Sequence, residues 1–250
     1  MNKTILITGA AGFLGSKFSI YLSNKNYEVI CIDKNYKNLK KINEKNLIKI
    51  CADITNENDV RKIYRKFKKK NIYAIINNAA IDAVPKKSSL KNLKYPELSN
   101  WDKEIKVSII GSFLMIKYFG EEMCKKKRGS IVNIGSDLSF IAPNQKIYQS
   151  SYPNYIKPPT YSVVKHGLLG LTKFYASLFA NKNVRVNMIS PGPIKNLQNP
   201  KLIKEIKKVT PMNRLASYDD LFGLLEFLIN DQSKFITGQN IFVDGGRTII

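Results

Sequence analysis

The chain has 250 residues, enough for one α/β domain with its own core. Lys plus Arg outnumber Asp plus Glu 41 to 19, a formal charge of +22. The cations are mostly lysines scattered along the chain, which argues against a nucleic-acid reader built on arginine forks and for a solvated basic surface. No apolar run reaches the roughly eighteen residues of a membrane helix, and Cys31, Cys51 and Cys124 lack the spacing of a disulfide framework or a metal centre.

In chain order, the opening segment turns polar too soon for a signal peptide and is expected to be a first strand, in a cytoplasmic protein. Short apolar runs follow at Thr4–Thr8, Val29–Ile32, Leu47–Cys51, Tyr73–Ile76, Ser130–Ile134, Val184–Ile189 and Asn240–Val243. Between them, Asn56–Lys69, Trp101–Lys126, Thr160–Ala180 and Tyr218–Ile229 carry helical periodicity. The alternation predicts one doubly wound parallel sheet of about seven strands, with helices on both faces. The lysine clusters at Lys68–Lys70 and Lys125–Arg128 fall where helices should end, in favour with the helix dipole. Cysteines in this setting are expected to be small buried apolar residues of a reducing compartment. Phe140–Pro159 breaks the rhythm. It carries Pro143, Pro153, Pro158 and Pro159, too many for a helix, and is too long for an ordinary βα connection.

Several motifs carry chemistry. Directly after the first strand stands Gly9-Ala10-Ala11-Gly12-Phe13-Leu14-Gly15. A glycine turn between a strand and a helix lets a pyrophosphate approach backbone N–H groups at a positive helix end. Asp33 closes the second strand, where a carboxylate accepts from ribose hydroxyls and disfavours a 2′-phosphate. That favours NAD, while the neighbouring Lys34 leaves NADP open. Asp53 and Ile54 follow the third strand, where the adenine edge is expected. Asn78, Ala79 and Ala80 end the fourth, at the ligand-binding end of an open α/β sheet. Tyr161 and Lys165 are four apart and share one face of a helix. An ammonium ~4 Å from a phenolate at an effective dielectric of ~20 interacts by roughly 4 kcal/mol, enough to shift a phenol toward neutral pH. His166, the only histidine, points away from that face and is expected to pack or to meet a second subunit.

Taken in order, these segments resemble the short-chain dehydrogenase/reductase family in its single-domain form, nearly end to end. Asn77–Ala80 is similar to the family's Asn-Asn-Ala-Gly. Ser136 corresponds to its serine, and Tyr161 with Lys165 to its Tyr-x-x-x-Lys pair. Ser190-Pro191-Gly192-Pro193-Ile194 is similar to its nicotinamide segment, which places Pro191, Gly192 and Ile194 there. Thr237–Gln239 and Val243–Gly246 are similar to its C-terminal signature. The resemblance implies hydride transfer between a nicotinamide and an alcohol or ketone. In it Tyr161 exchanges the proton, Lys165 lowers the Tyr161 pKa and binds ribose, and Ser136 bonds the substrate oxygen. Two departures stand out. Ser108 occupies the place of a helix asparagine that holds a relay water. The glycine spacing is the one common in longer, epimerase-type relatives.

Ser136 and Tyr161 are 25 residues apart, more than is usual in the family, and the excess is the segment 140–159. It is expected to wall the substrate site, with Tyr148, Tyr152 and Tyr155 against a polar ligand. The segment is similar to bacterial oxidoreductases of flagellin or surface-glycan modification, which implies a sugar or nucleotide-sugar substrate. Lys86, Lys87, Lys146, Lys157 and Lys195 are candidates for a substrate phosphate. Three alternatives remain: a 3-oxoacyl-thioester reductase, a non-catalytic NAD(P)-binding protein and a polyanion binder. The expected partners are a small-molecule substrate and copies of the same chain in a homodimer or homotetramer, with no metal, no nucleic acid and no membrane.

Overall fold

The apolar runs become seven parallel strands, the inner ones buried on both faces and the edge strands Leu47–Cys51 and Asn240–Val243 only half-buried. The computed structural model describes residues 3–82 and 94–250. In chain order they form β1 (Thr4–Thr8), α1 (Phe13–Asn24), β2 (Glu28–Asp33), α2 (Tyr36–Lys40), β3 (Leu47–Cys51), α3 (Glu57–Phe67) and β4 (Ile72–Asn77). Next come α4 (Leu98–Ile105), α5 (Gly111–Met115) and α6 (Glu121–Lys125), joined by π-helical segments Lys106–Ile110 and Ile116–Gly120 into one helical stretch. The chain continues through β5 (Gly129–Ile134), α7 (Gln145–Gln149), α8 (Pro159–Phe179), β6 (Val184–Pro191), α9 (Pro200–Lys208), α10 (Phe222–Ile229) and β7 (Asn240–Val243).

The sheet order is β3-β2-β1-β4-β5-β6-β7, so the strand order reverses between β1 and β4. That switch point opens a crevice at the carboxyl ends of the strands. Pleating sends Ile5 and Ile7 into one core, with Phe18 of α1 and Leu225 of α10. Leu6 enters the opposite core with Ile63 of α3 and Phe119. The lysine clusters end α3 and α6 as expected, and Lys126 Nζ donates to the carbonyls of Lys68 (3.3 Å) and Lys70 (3.1 Å).

Two expectations need correction. The segment 140–159 does contain a helix, α7, because its five residues fit between Pro143 and Pro153 and Asn144 caps it through the Lys146 N–H. It packs with α9 in a small apolar cluster of Ile147, Leu202, Ile206 and Leu215. Of the cysteines, only Cys31 is fully buried, while Cys51 is exposed at the end of an edge strand.

A buried polar chain fixes α8 against the sheet. Asn77 Nδ2 donates to Asn133 Oδ1 (2.9 Å), Asn133 Nδ2 to Thr172 Oγ1 (2.8 Å), and Thr172 Oγ1 to the Leu168 carbonyl (2.8 Å). Buried polar groups must be matched, so this chain sets where β4, β5 and α8 meet.

Candidate active site

The glycine turn lies against the end of β4. Gly9 is in the left-handed region at φ +65°, and a Cβ there would sit 2.7 Å from Ala79 Cα. A Cβ on Gly15 would fall 2.1 Å from the Gly9 carbonyl oxygen, so α1 reaches the turn only with glycine. Asn78 Nδ2 holds the turn from the other side, donating to the carbonyls of Thr8 and Gly9 at 3.1 Å each. The Ala11 N–H donates to Asp33 Oδ2 (2.9 Å), tying the turn to the end of β2. On the adenine side, hydrogen bonds from the Thr55 N–H and hydroxyl and the charge of Lys34 outweigh burial and hold the Asp53 carboxyl below its ordinary range.

A cavity of about 500 Å³ runs from this turn to the far side of β5. Gly9, Gly12, Phe13, Leu14, Asp33, Lys34, Asp53, Ile54, Asn78, Ala79 and Ala80 wall one end; Ser136, Tyr161, Lys165, Pro191, Gly192 and Ile194 wall the middle. The sequence-predicted cofactor positions therefore converge, apart from Ala11 and Gly15, which support the turn from behind. Ser108 lies in the π-helical segment outside the wall, its hydroxyl buried without a partner among the described residues and its carbonyl accepting from Ser112 (2.8 Å).

Ser136 leaves β5 as the cap of a short 3₁₀ turn and donates from Oγ to Asp137 Oδ1 (2.9 Å). Tyr161 and Lys165 stand on one face of α8, Lys165 Nζ 5.6 Å from the Tyr161 ring centre. The ammonium donates to the Ile134 carbonyl (2.9 Å), and burial pulls its pKa down to about 8. The expected lowering of the Tyr161 pKa is not what the surroundings produce. Desolvation pushes the phenol well above its ordinary value, Asp82 adds to it, and the Ser136 hydroxyl opposes it. Burial of the ring is the first cause, and Lys165 spends a hydrogen bond on the Ile134 carbonyl.

Beyond Ser136 and Tyr161, the substrate end brings together Lys157 and Tyr148, which the sequence singled out, and others that it did not. Lys157, the one phosphate candidate in the wall, is buried, pairs with Asp82 and lies 4.0 Å from the centre of the Tyr161 ring. Gln145 clamps its backbone, accepting from the Lys157 N–H (2.9 Å) and donating to its carbonyl (3.2 Å). Glu104 on α4 is buried, accepts from Thr160 Oγ1 (2.8 Å) and is raised by desolvation. Lys146 and Lys195 are exposed and outside the wall, and Lys86 and Lys87 lie outside the described residues. Of the three tyrosines only Tyr148 faces the cavity. Tyr152 and Tyr155 turn into the segment's own packing, with the Tyr148–Tyr155 rings 5.5 Å and the Tyr152–Tyr155 rings 6.3 Å apart. His166 is exposed on α8, its Nδ1 2.9 Å from the Ser162 carbonyl.

A family profile described as enoyl-(acyl carrier protein) reductase matches residues 9–248. The chain belongs to the short-chain dehydrogenase/reductase family. It is an oxidoreductase of that family, with the single-domain Rossmann-type fold. It is 32% identical over 255 residues to the 3-oxoacyl-[acyl-carrier-protein] reductase of Buchnera aphidicola subsp. Schizaphis graminum, covering 98% of this chain and 97% of the relative. It is 29% identical to an NAD-dependent glycerol dehydrogenase of Listeria innocua, over 99% and 94% of the two chains. Among solved structures, a short-chain dehydrogenase of Leptospira borgpetersenii with bound NAD+ superposes with a TM-score of 0.85 at 29% identity, over 99% of this chain and 93% of that one.

Proposed function

We propose that this short-chain dehydrogenase/reductase interconverts a secondary alcohol and a ketone with NAD(P), and that its substrate is a polar, hydroxylated compound of the sugar or nucleotide-sugar kind. The observation that carries the reading is the convergence of Ser136, Tyr161 and Lys165 with the glycine turn in the wall of one cavity. The crevice fits a dinucleotide, because Gly9 and Gly15 leave no room for any side chain between the turn and β4. When bound, the cofactor supplies the hydride chemistry. Gly9, Ala11, Gly12, Phe13, Leu14 and Gly15 would flank its diphosphate, and Asp33 with Lys34 its adenosine ribose. Asp53 and Ile54 would meet the adenine, and Asn78, Ala79, Ala80, Pro191, Gly192 and Ile194 the inner half. NAD is favoured over NADP because Asp33 stands at the ribose position, where a carboxylate disfavours a 2′-phosphate.

The chain's own groups handle the proton. Tyr161, kept as a phenol by desolvation, gives its proton to the substrate oxygen as a general acid. Ser136 orients that oxygen. Lys165 brings a positive charge to the ribose side and sustains the local field. Lys157 and Asp82 offer the substrate a donor and an acceptor within the same wall, which suits hydroxyl groups better than a hydrocarbon. Replacing Tyr161 by Phe should lower kcat/KM by about 10²–10⁴ while the melting temperature and NADH binding persist. A rate like that of the wild type would remove Tyr161 as the proton donor.

A second reading, reduction of a 3-oxoacyl thioester, draws on the Buchnera relative and on the apolar residues Ile194, Leu202 and Ile206 in the wall. A substrate panel separates the two. We also propose a homodimer or homotetramer in the cytoplasm. Val163, Phe174 and Leu178 leave an apolar face of α8 exposed, and a Cβ on Gly170 would meet none of the described residues within 4 Å. Sedimentation of the intact protein tests it.

A further inference from the structure

The residue after Ser136 is an aspartate, and it is almost entirely buried. Asp137 accepts the Ser136 hydroxyl at Oδ1 (2.9 Å) and the Leu138 N–H on the same oxygen (2.9 Å). Its other oxygen accepts Arg247 Nη1 at 2.7 Å, and each side chain of this pair is only 5% exposed. Arg247 arrives from the far end of the chain. Asp244 fixes the turn that delivers it, accepting the N–H groups of Gly246 (3.0 Å) and Thr248 (2.8 Å). Both members of the pair wall the cavity beside Ser136 and Tyr148.

The pair is hard to explain as a stabilising device. Burying two charges costs desolvation that their attraction seldom exceeds, and well-packed apolar side chains in their place would be as stable or more so. Its hydrogen-bond accounting points elsewhere. A guanidinium has five N–H donors. Among the described residues, Asp137 is the only acceptor Arg247 has, so the other donors are unmatched at the cavity wall. The Asp137 carboxylate, by contrast, is nearly filled by Ser136, Leu138 and Arg247. What the pair leaves on offer is a cluster of donors close to the serine. The complementary group is a substrate oxygen.

We propose that Asp137 and Arg247 determine substrate specificity. Asp137 is a positioning residue that fixes the Ser136 hydroxyl, and Arg247 donates to a hydroxyl oxygen within a few bonds of the reacting carbon. The proposal rests on the oxidoreductase reading given above and narrows it to substrates with hydroxyls beside the carbonyl. A plain ketone leaves the guanidinium desolvated and unmatched, and a site built to hydrogen-bond a hydroxyl discriminates strongly against its absence.

The test compares erythrulose with 2-butanone, which share a carbon skeleton and differ in their hydroxyls. Initial rates of NADH oxidation give kcat/KM for each, in the wild type, in Arg247→Leu and in Arg247→Lys. The double variant Asp137→Val/Arg247→Leu removes both charges together and guards against misfolding around an uncompensated carboxylate. Melting temperature and NADH fluorescence quenching serve as folding controls. The wild type should prefer erythrulose by at least ~30-fold, the preference should fall roughly tenfold or more in Arg247→Leu and in the double variant, and Arg247→Lys should recover part of it. If the pair only staples the C-terminal turn, the variants will melt earlier and keep the wild-type preference, which overturns the proposal. A wild type that reduces both ketones equally overturns it while leaving the oxidoreductase reading intact. A wild type that reduces neither, while NADH quenching shows the cofactor end intact, also overturns the proposal, since the hydroxylated ketone is then no substrate.

Discussion

The two ends of the cavity are built on different principles. The dinucleotide end is made of backbone: a glycine turn, a helix start and carbonyls held by Asn78, with tolerances set by the missing Cβ of Gly9 and Gly15. The substrate end is made of charged side chains in pairs, Asp82 with Lys157 and Asp137 with Arg247. A backbone cradle accepts the same diphosphate in any enzyme that has it, since it reads only the position of N–H groups. Side-chain pairs can be exchanged without disturbing the sheet, so they are where one enzyme of a family departs from another. On the proposed reading the reaction type resides at one end and the substrate at the other, with Tyr161 and Lys165 at the boundary.

Substitutions at the boundary should have the largest effect. Lys165→Met is expected to lower turnover by at least ~10² and, at pH 7, to raise the melting temperature, because it removes an ammonium that burial disfavours. The sign follows from the folded pKa of about 8, below the unfolded value near ~10.4. Between these values the unfolded chain holds a proton that the native one has lost, so wild-type stability rises with pH and the variant's advantage shrinks. Melting curves at pH 7 and pH 10 check it, and an advantage that grows with pH would break the account of Lys165. At the backbone end, Gly15→Ala should weaken NADH binding roughly tenfold or more and cost about 1–3 kcal/mol of stability by overpacking, read from quenching titrations and urea midpoints. Unaltered binding would mean that the cradle is softer than its 2.1 Å approach implies. The smallest change is expected at the ribose. Asp33→Asn should shift the NADPH-to-NADH preference by roughly tenfold toward NADPH, about the worth of one partly exposed charge. A shift toward NADH would place Lys34, not Asp33, in control.

The same division decides what was legible in the sequence. The strands showed because burial on both faces forces apolar runs, and the glycine turn showed because its geometry admits few residue types within one short segment. Tyr161 and Lys165 showed because helical spacing puts them on one face. The charged pairs did not, since their members are 75 and 110 positions apart and each alone looks like an ordinary surface residue. Glu104 was hidden for a similar reason: its partner Thr160 lies 56 positions away, and one acid on an amphipathic helix carries no mark of burial. The tyrosines misled in the opposite direction. Tyr148, Tyr152 and Tyr155 form a conspicuous cluster in sequence, yet two of them build the segment's own core around the single short helix it contains. The direction of the Tyr161 shift was likewise out of reach, because it comes first from desolvation of the ring, which only the folded surroundings set, with Asp82 adding to it.

The most direct test of the division between the two ends is a comparison of substrates in the unaltered enzyme. With NADH saturating, kcat/KM for erythrulose should exceed that for an acetoacetyl thioester by at least ~10-fold, because the paired charges of the substrate end match hydroxyls and reject an acyl chain. A thioester preferred over the hydroxylated ketone would contradict the assignment of that end to a polar substrate.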